Sequence, residues 1–561
     1  LAGKLMANQE HQDLIGRFKG LVSERTTVQQ MWDAIETYIT PYRGKFFRDQ
    51  RNEHTIDWFE SRDIYDSTAV MAAKNLAASI HGSLTSPTIK WFDIRFRDDK
   101  LNDAKAPKEW LQGVADAIFY ELQDSNFDLE INKAYQDLVG FGTALLTLEE
   151  GDGPASDWNG LDFTSVPLKE AFFEEDYRSG VARFYRKVQW TPTQLLSKFG
   201  ENGVPEHVKD LAKGSKKEAP LDVLFAIYPR NNKVMPLGAT TSPSKRPYSY
   251  CYLLLSDGEE IEYDPLLGKE MGYYEMPAFA ARWDMTNSSK WGNSPAMLAL
   301  GDVLTLNAVV KDTLRARAKM IDPPLMASER SVYTSLNLDP ATVTTVRDPA
   351  SAVAAMPGPD GLSLATSNDE INRLQSAIRN YFMVDRIDFP DMQPQPMTAT
   401  EAQIRYERMQ RYLGATLAHM RNDLLNPIIA RSFRMMLRKG VITEPPAAVL
   451  ESDPALDVEY LGSLSRAQQV DEAAVIERVA MSAGNLATVY GQDALDPVDP
   501  AEAVRQIAVK LNAPAAMMRS KQDVKDRQGD RQEQEAQMME SQQMQARGEG
   551  EQAMQEAASG G

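Results

Sequence analysis

Apolar side chains recur along much of this chain at steps of three and four, the spacing of one helix face. In its second quarter they gather into short runs between turn residues. Leu14, Ile15, Phe18, Leu21 and Val22, then Met31, Trp32, Ile35 and Ile39, predict helical structure up to Pro41. Val70, Ala73, Leu76, Ala77, Ile80 and Leu84 predict a second helix, closed by Ser86-Pro87 before a strand at 91–96. Two further helices run through Trp110, Leu111, Val114, Ile118 and Leu122 and through 129–139, and Gly140-Phe141-Gly142 turns the chain into a strand at 143–148. From 151 to about 283 the pattern is α+β. Strands are expected at 181–190, 222–228 and 248–255, with a short helix opened by Thr191-Pro192 and ended by Gly200. Ser256-Asp257-Gly258 reads as a hairpin turn into a strand at 259–263, and 231–247 as an exposed loop.

The third quarter is organised differently. Ser294-Pro295 opens a helix that runs to Ile321, where Asp322-Pro323-Pro324 stops it. Residues 325–366 are turn-rich and partly β, and Ser367 with Glu370 has capping-box spacing for a helix carrying Ile371, Leu374, Ile378, Tyr381 and Phe382. Two helices therefore flank a small insert. A loop at 386–397 with three prolines leads to a second capping box, Thr398 with Glu401, and a helix over 399–439 that Gly440 ends. Such a helix is about 60 Å long at ~1.5 Å per residue, too long for one ordinary core to cover. Pro427 predicts a kink within it. After Leu424 its apolar stripe widens, and Leu424, Ile428, Phe433 and Met436 are the side chains expected to pack between subunits. Two more capping boxes follow, Ser465 with Gln468 and Asp499 with Glu502, before a tail of Gln, Glu, Met, Ala and Arg.

Charge narrows the class of function. The 561 residues hold 61 Lys and Arg against 80 Asp and Glu, a net charge of −19, so the chain's overall field does not attract phosphate. A single cysteine, Cys251, allows no intrachain disulfide and no cysteine-based zinc site. No run of apolar residues is long enough for a membrane span, so no membrane partner is expected.

Motifs for catalysis are missing from the pattern. Gly44-Lys45 and Gly268-Lys269 lack the second glycine and the Ser or Thr of a phosphate-binding loop. Gly140-Phe141-Gly142 reads as a helix-to-strand turn rather than a dinucleotide loop. The five histidines, His11, His54, His81, His207 and His419, form no metal-ligand spacing, and Cys251 reads as a buried thiol in an apolar strand. Neither an enzyme nor a cofactor site is expected.

Several ordered motifs together resemble the head-to-tail connector, or portal, proteins of short-tailed double-stranded DNA bacteriophages. They are 85–92 (TSPTIKWF), 163–173 with Gly180 and Arg186, 291–295 (WGNSP) running into Leu306-Asn307, and Pro323-Pro324. Met397 to Glu401 with Arg405, Leu424 to Pro427, and 460–468 complete the set. The resemblance spans the N-terminal helices to about residue 480. It implies an α+β, mostly helical, ring-forming protein, normally of twelve identical subunits at one capsid vertex, through which DNA is packaged and ejected.

The implied parts are a wing at 1–290, stem helices at 291–322 and 367–385 around a clip at 323–366, and a tunnel loop at 386–398. A wing helix and return at 399–462, a crown at 463–512 and a C-terminal barrel helix or tail at 513–561 follow. The implied partners are further copies of the chain, double-stranded DNA passing without sequence readout, the major capsid protein, the terminase large subunit, and tail adaptor, tail or internal core proteins. Location in the virion, after assembly in the host cytoplasm, follows from the same resemblance. An alternative class is another oligomeric virion component, such as a tail adaptor or an internal core protein.

Two features are candidates to meet DNA. Lys311, Arg315 and Lys319 recur every four residues on the helix after WGNSP, with Arg317 nearby; the stripe reads either as a ring of charge facing a channel or as a solvated or intersubunit face. Arg386, Met392, Gln393 and Gln395 lie on the proline loop, which reads either as a duplex-facing loop or as a plain connector. Twelve copies would carry a net charge of about −230, a field that opposes tight phosphate binding.

Overall fold

In the computed structural model the described residues are 2–43, 64–87, 90–97, 105–151, 153, 157–177, 180–214, 217–230, 241–255, 265–285 and 289–321. They continue with 325–327, 353–355, 361–384, 413–414, 416–446, 449, 456–460, 473–485, 503–504, 506–508 and 538. The expected features at 259–263, 386–398, 465–468 and 499–502 lie outside them. The chain divides into two compact units, one of residues 1–89 and 120–441 and the other of residues 90–119 and 442–561.

The larger unit is built on two sheets. Helix α1 (Ala2–Tyr38) is continuous, about 55 Å long at ~1.5 Å per residue. Its face of Leu14, Ile15, Phe18 and Leu21 covers Phe172, Tyr185, Leu224, Ala226, Tyr228, Cys251 and Leu253. Those residues belong to an antiparallel five-stranded sheet of β4 (Ala171–Glu175), β5 (Val181–Trp190), β6 (Leu221–Pro229), β7 (Tyr248–Leu254) and β8 (Leu266–Tyr273), in that order. β8 pairs antiparallel with β7. On the opposite face, Leu195 of α5 (Pro192–Phe199), Val208 of α6 (Glu206–Lys213) and Val204 between them pack onto Val223, Leu254 and Leu267. Thr191 caps α5 with a full capping box, as its sequence predicts. Cys251 is fully buried in β7.

The second sheet, ordered β3 (Leu161–Val166), β2 (Thr143–Glu150) and β9 (Ala278–Arg282), packs on α4 (Phe127–Phe141). The Gly140-Phe141-Gly142 turn joins α4 to β2, and here the WGNSP segment docks. Gly142 is left-handed (φ 75°), and a Cβ on either Gly142 or Gly292 would collide with the other's carbonyl oxygen. Gly292 N donates to Thr143 Oγ1 at 2.9 Å, and Ser294 Oγ donates to Gly140 O at 2.7 Å. Ser294 Oγ also accepts from Met297 N at 3.0 Å, capping the helix that begins there. Trp291 meets Trp32 edge-on at 5.0 Å and Phe173 at 5.2 Å, so this segment joins α1, both sheets and α4.

The smaller unit pairs β1 (Phe92–Phe96) with β12 (Leu456–Tyr460) antiparallel. Within it Lys90 pairs with Asp116 of α3 (Lys105–Asp124) at 2.6 Å, and Trp110 Nε1 of the same helix donates to Thr443 O at 2.9 Å. A further helical stretch spans 473–485.

Candidate functional site

The residues with candidate roles gather on two helices and on one helical bend. Helix α7 (Pro295–Ile321) and helix α8 (Gly361–Tyr381) flank a two-stranded antiparallel insert, β10 (Leu325–Ala327) with β11 (Val353–Ala355), as the sequence pattern predicts. α8 starts earlier than expected. Its first residue is Gly361, so Ser367 and Glu370 lie inside the helix rather than at its cap. Glu370 instead pairs with Arg373, and this exposed hydrogen-bonded contact lowers its pKa.

The helices run antiparallel. Arg317 Nη2 donates to Asn368 Oδ1 at 2.8 Å near one end, and segment 64–67 holds both helices further along. Tyr65 N donates to Asn307 Oδ1 at 2.7 Å, while Asp66 Oδ2 accepts from Gln375 Nε2 at 2.7 Å. Asp66 Oδ1 also takes Thr68 N at 2.8 Å, at the start of α2 (Thr68–Leu84). Sequence reasoning missed this strap, because two polar residues outside any periodic run carry no pattern of their own.

The structure places the basic stripe on the open side of α7. Arg315 and Lys319 are exposed, and Arg315 makes a 3.7 Å ion pair with Asp312 that solvent screens heavily. Lys311 is half-buried, with its ammonium 5.1 Å from the Tyr65 ring centre. The stripe therefore has one cation held against a ring, one in a weak exposed ion pair, and Lys319 in solvent. Arg386, Met392, Gln393 and Gln395 lie outside the described residues. Leu314, Met320 and Ile321 are exposed towards the end of α7, Ile321 at 86%.

Leu424, Ile428, Phe433 and Met436, expected to pack between subunits, are buried inside this chain. They belong to a helical segment that differs from the expected one. A π-helical turn at Arg421–Leu425 precedes α9 (Asn426–Arg438), and Asn426 N bonds back to Arg421 O. Pro427 has no N–H for the carbonyl of Asp423, and the ladder slips to the wider spacing in the turn before it. The interruption expected at Pro427 thus falls one turn earlier. The far end matches the sequence: Gly440 is left-handed (φ 72°) and Val441 N bonds back to Met436 O at 3.0 Å.

One face of α9 and this π turn line a cleft of about 400 Å³ with β9 and the start of β5. Arg282, Arg431, Arg434, Glu275, Asn422 and Asp423 supply its polar groups. Arg431 is buried; its Nε donates to Leu148 O at 3.0 Å and its Nη1 to Glu275 O at 2.8 Å. Glu275 also accepts two bonds from Arg438, at 2.6 and 2.8 Å. Arg282 pairs with Glu175. Burial raises the pKa of Asp423, opposed by nearby Arg282 and His419. Sequence reasoning found none of these residues, since they come from three separate elements. The signal available was the excess of arginine on α9.

Among the described residues no group of His, Cys, Asp and Glu is arranged to hold a metal ion. No helix of the described residues is long and apolar enough to cross a membrane.

Comparison with known proteins extends the likeness over almost the whole chain. The family described as "Bacteriophage head to tail connecting protein" matches residues 11–518. The "Probable portal protein" of Bordetella phage BPP-1 is 28% identical over 508 residues, covering 88% of this chain and 86% of that protein. The "Portal protein" of Salmonella phage epsilon15 is 27% identical over 514 residues, covering 89% and 87%.

Proposed function

The chain belongs to the bacteriophage head-to-tail connecting proteins, a structural family, and from that membership we propose a closed ring at one capsid vertex that serves as the conduit for the genome. The match over residues 11–518 is the observation that carries this reading. Participation in DNA packaging and virion assembly follows from the family. Twelve copies, docking of the terminase large subunit during packaging, its later replacement by tail adaptors, and seating against the major capsid protein belong to the proposal.

In it, α7 and α8 are the stem and the strands between them part of the clip. Exposed Leu314, Met320 and Ile321 support this, because apolar side chains clustered at the end of one helix call for cover by neighbouring copies. Arg315 and Lys319, with Lys311 held against Tyr65, are the stem cations that face the duplex. Arg386, Met392, Gln393 and Gln395 form the loop that narrows the passage.

Single-particle electron microscopy of the purified full-length chain tests the reading. A closed ring of about twelve copies with a channel about 20 Å wide or more, enough for a duplex, is expected. A monomer, or an assembly with no axial channel, refutes it and favours an adaptor or core component instead.

A further inference from the structure

The two helices that flank the insert are rooted at one end only. On α7 the buried residues Pro295, Ala296, Ala299, Val303 and Leu306 all lie in its first half, and on the returning chain Leu374, Ile378 and Phe382 lie at the end of α8. Beyond Leu306, Thr313 is the only buried residue of α7, and none of residues 365–373 on α8 is buried. Residues 308–321 and 361–373, with the β10 and β11 pair between them, therefore form an arm held by contacts within itself, such as Arg317 to Asn368. An apolar root resists movement because separating it exposes its surface to water. An arm without one takes its direction from whatever fixes its base.

Segment 64–67 meets the helix pair at that boundary. Asn307 and Lys311 lie one turn apart on the same face of α7. Tyr65 N donates to Asn307 Oδ1, and the Lys311 ammonium stands 5.1 Å from the Tyr65 ring centre. On α8 the contact is Gln375, next to the first buried residue Leu374, and its Nε2 donates to Asp66 Oδ2. The other oxygen of Asp66 accepts from Thr68 N in the first turn of α2, which packs against both α8 and α4. One carboxylate thus ties the base of the arm to the start of α2. All these contacts are hydrogen bonds or a cation over a ring, and no residue of 64–67 is buried, so water can replace each of them at small net cost.

We propose that segment 64–67 is a latch for the arm. Closed, as in this structure, it fixes the tilt of the arm; when Asp66 releases Gln375, the arm swings as one unit about the level of Asn307. The latch stands on contacts within one chain. Its consequence for the passage rests on the ring reading above: where the arm is the stem, the latch sets how far the stem leans inward.

The test measures the tilt directly, by double electron–electron resonance between nitroxides on Ala318→Cys in the arm and Ser197→Cys on α5, both exposed positions. Cys251 is fully buried and stays unlabelled under native conditions. Labelled full-length chain is diluted into an excess of unlabelled chain, so that only pairs within one chain are read. Ala318 stands about 16 Å beyond Asn307 at ~1.5 Å per residue, so a swing of about 20° carries it about 5 Å. Wild type is expected to give one narrow distance. Gln375→Met, which keeps the helix and the bond from Asp66 to Thr68, and Asp66→Ala are both expected to broaden it by about 5 Å or add a second distance. A control pair within the body, Ser197→Cys with Leu129→Cys, is expected to stay unchanged in both variants. A wild-type distribution in both variants overturns the proposal. Broadening of the control pair as well overturns it too, because the whole body has then loosened. Broadening in Asp66→Ala alone assigns the effect to the start of α2 and likewise overturns it. The distances are read whether or not the chain closes into a ring, so a failed latch and a failed ring reading are told apart.

Discussion

At the residue scale the tightest constraint is the contact between Gly142 and Gly292. Each backbone lies where the other's Cβ would sit, and Gly142 also has the left-handed conformation that other residues adopt at a cost. Gly292→Ala cannot be absorbed by a flexible side chain, because the obstacle is a carbonyl. It is expected to destabilise the fold by about 2–4 kcal/mol, read as a lower denaturant midpoint at unchanged slope. An unchanged midpoint would mean that the two segments separate readily. Titration offers a second case at Glu270. Burial alone would raise its pKa, but hydrogen bonds from Ser249 and Arg230 outweigh burial, and the folded-state value lies below the ordinary 4.5. The resulting stabilisation is present above that ordinary value and is lost as pH falls through the lower folded-state value. Acid unfolding of Glu270→Gln, followed by tryptophan fluorescence, should therefore be less steep through this range than that of wild type. The carboxylate is partly exposed, so the difference is modest and shrinks in high salt.

At the scale of elements, the start of α7 shows how one hydroxyl joins local and distant structure. Ser294 caps the helix through Met297 N and at the same time holds the turn at Gly140. Ser294→Ala is expected to cost about 1–2 kcal/mol, more than an exposed cap, because the carbonyl of Gly140 also loses its buried donor. Hydrogen exchange should speed up in the first turn of α7 and at the Gly140 turn together; a change confined to α7 would show the two ends to be uncoupled. This region also marks what the sequence makes legible. The helix from Pro295 to Ile321, the short helix after Thr191 and the stop at Gly440 are readable because their signals are local: a proline, a capping box, a glycine beyond the last apolar position. β9 and β12 are not, since each becomes a strand only through a partner far along the chain, as Tyr460 does with Phe92. The start of α8 is not legible either, because Ser367 and Glu370 have cap spacing while the residues before them continue the helix. For the candidate sites the same rule holds. The stripe Lys311, Arg315, Lys319 is visible as a period of four, whereas the cleft of Arg282, Glu275 and Arg431 exists only once β9 and α9 meet.

For the whole molecule, the proposed conduit raises the question of how an acidic chain would pass a polyanionic genome. A passage must let DNA slide, so binding to any one subunit has to be weak and indifferent to sequence. The α7 stripe fits that demand: Lys311 is occupied by Tyr65, Arg315 has Asp312 one turn away, and Lys319 stands in solvent, so few cations are available to displace counterions. The surrounding charge of −19 per subunit lowers the affinity of those that remain. For the proposed ring this predicts duplex binding that is weak at low salt and disappears by about 0.2 M salt, with equal affinity for unrelated sequences. Replacing both Arg315 and Lys319 by Gln should reduce the slope of log affinity against log salt by about 1 for each cation that touches phosphate, without changing ring size. Fluorescence anisotropy with two unrelated duplexes across a salt series measures both quantities. An affinity that persists at high salt, or that separates the two duplexes, would show base-edge contacts and a gripping role, contrary to a conduit. If the slope instead stays fixed in the double variant, the α7 stripe faces away from DNA, and its charges serve packing between copies.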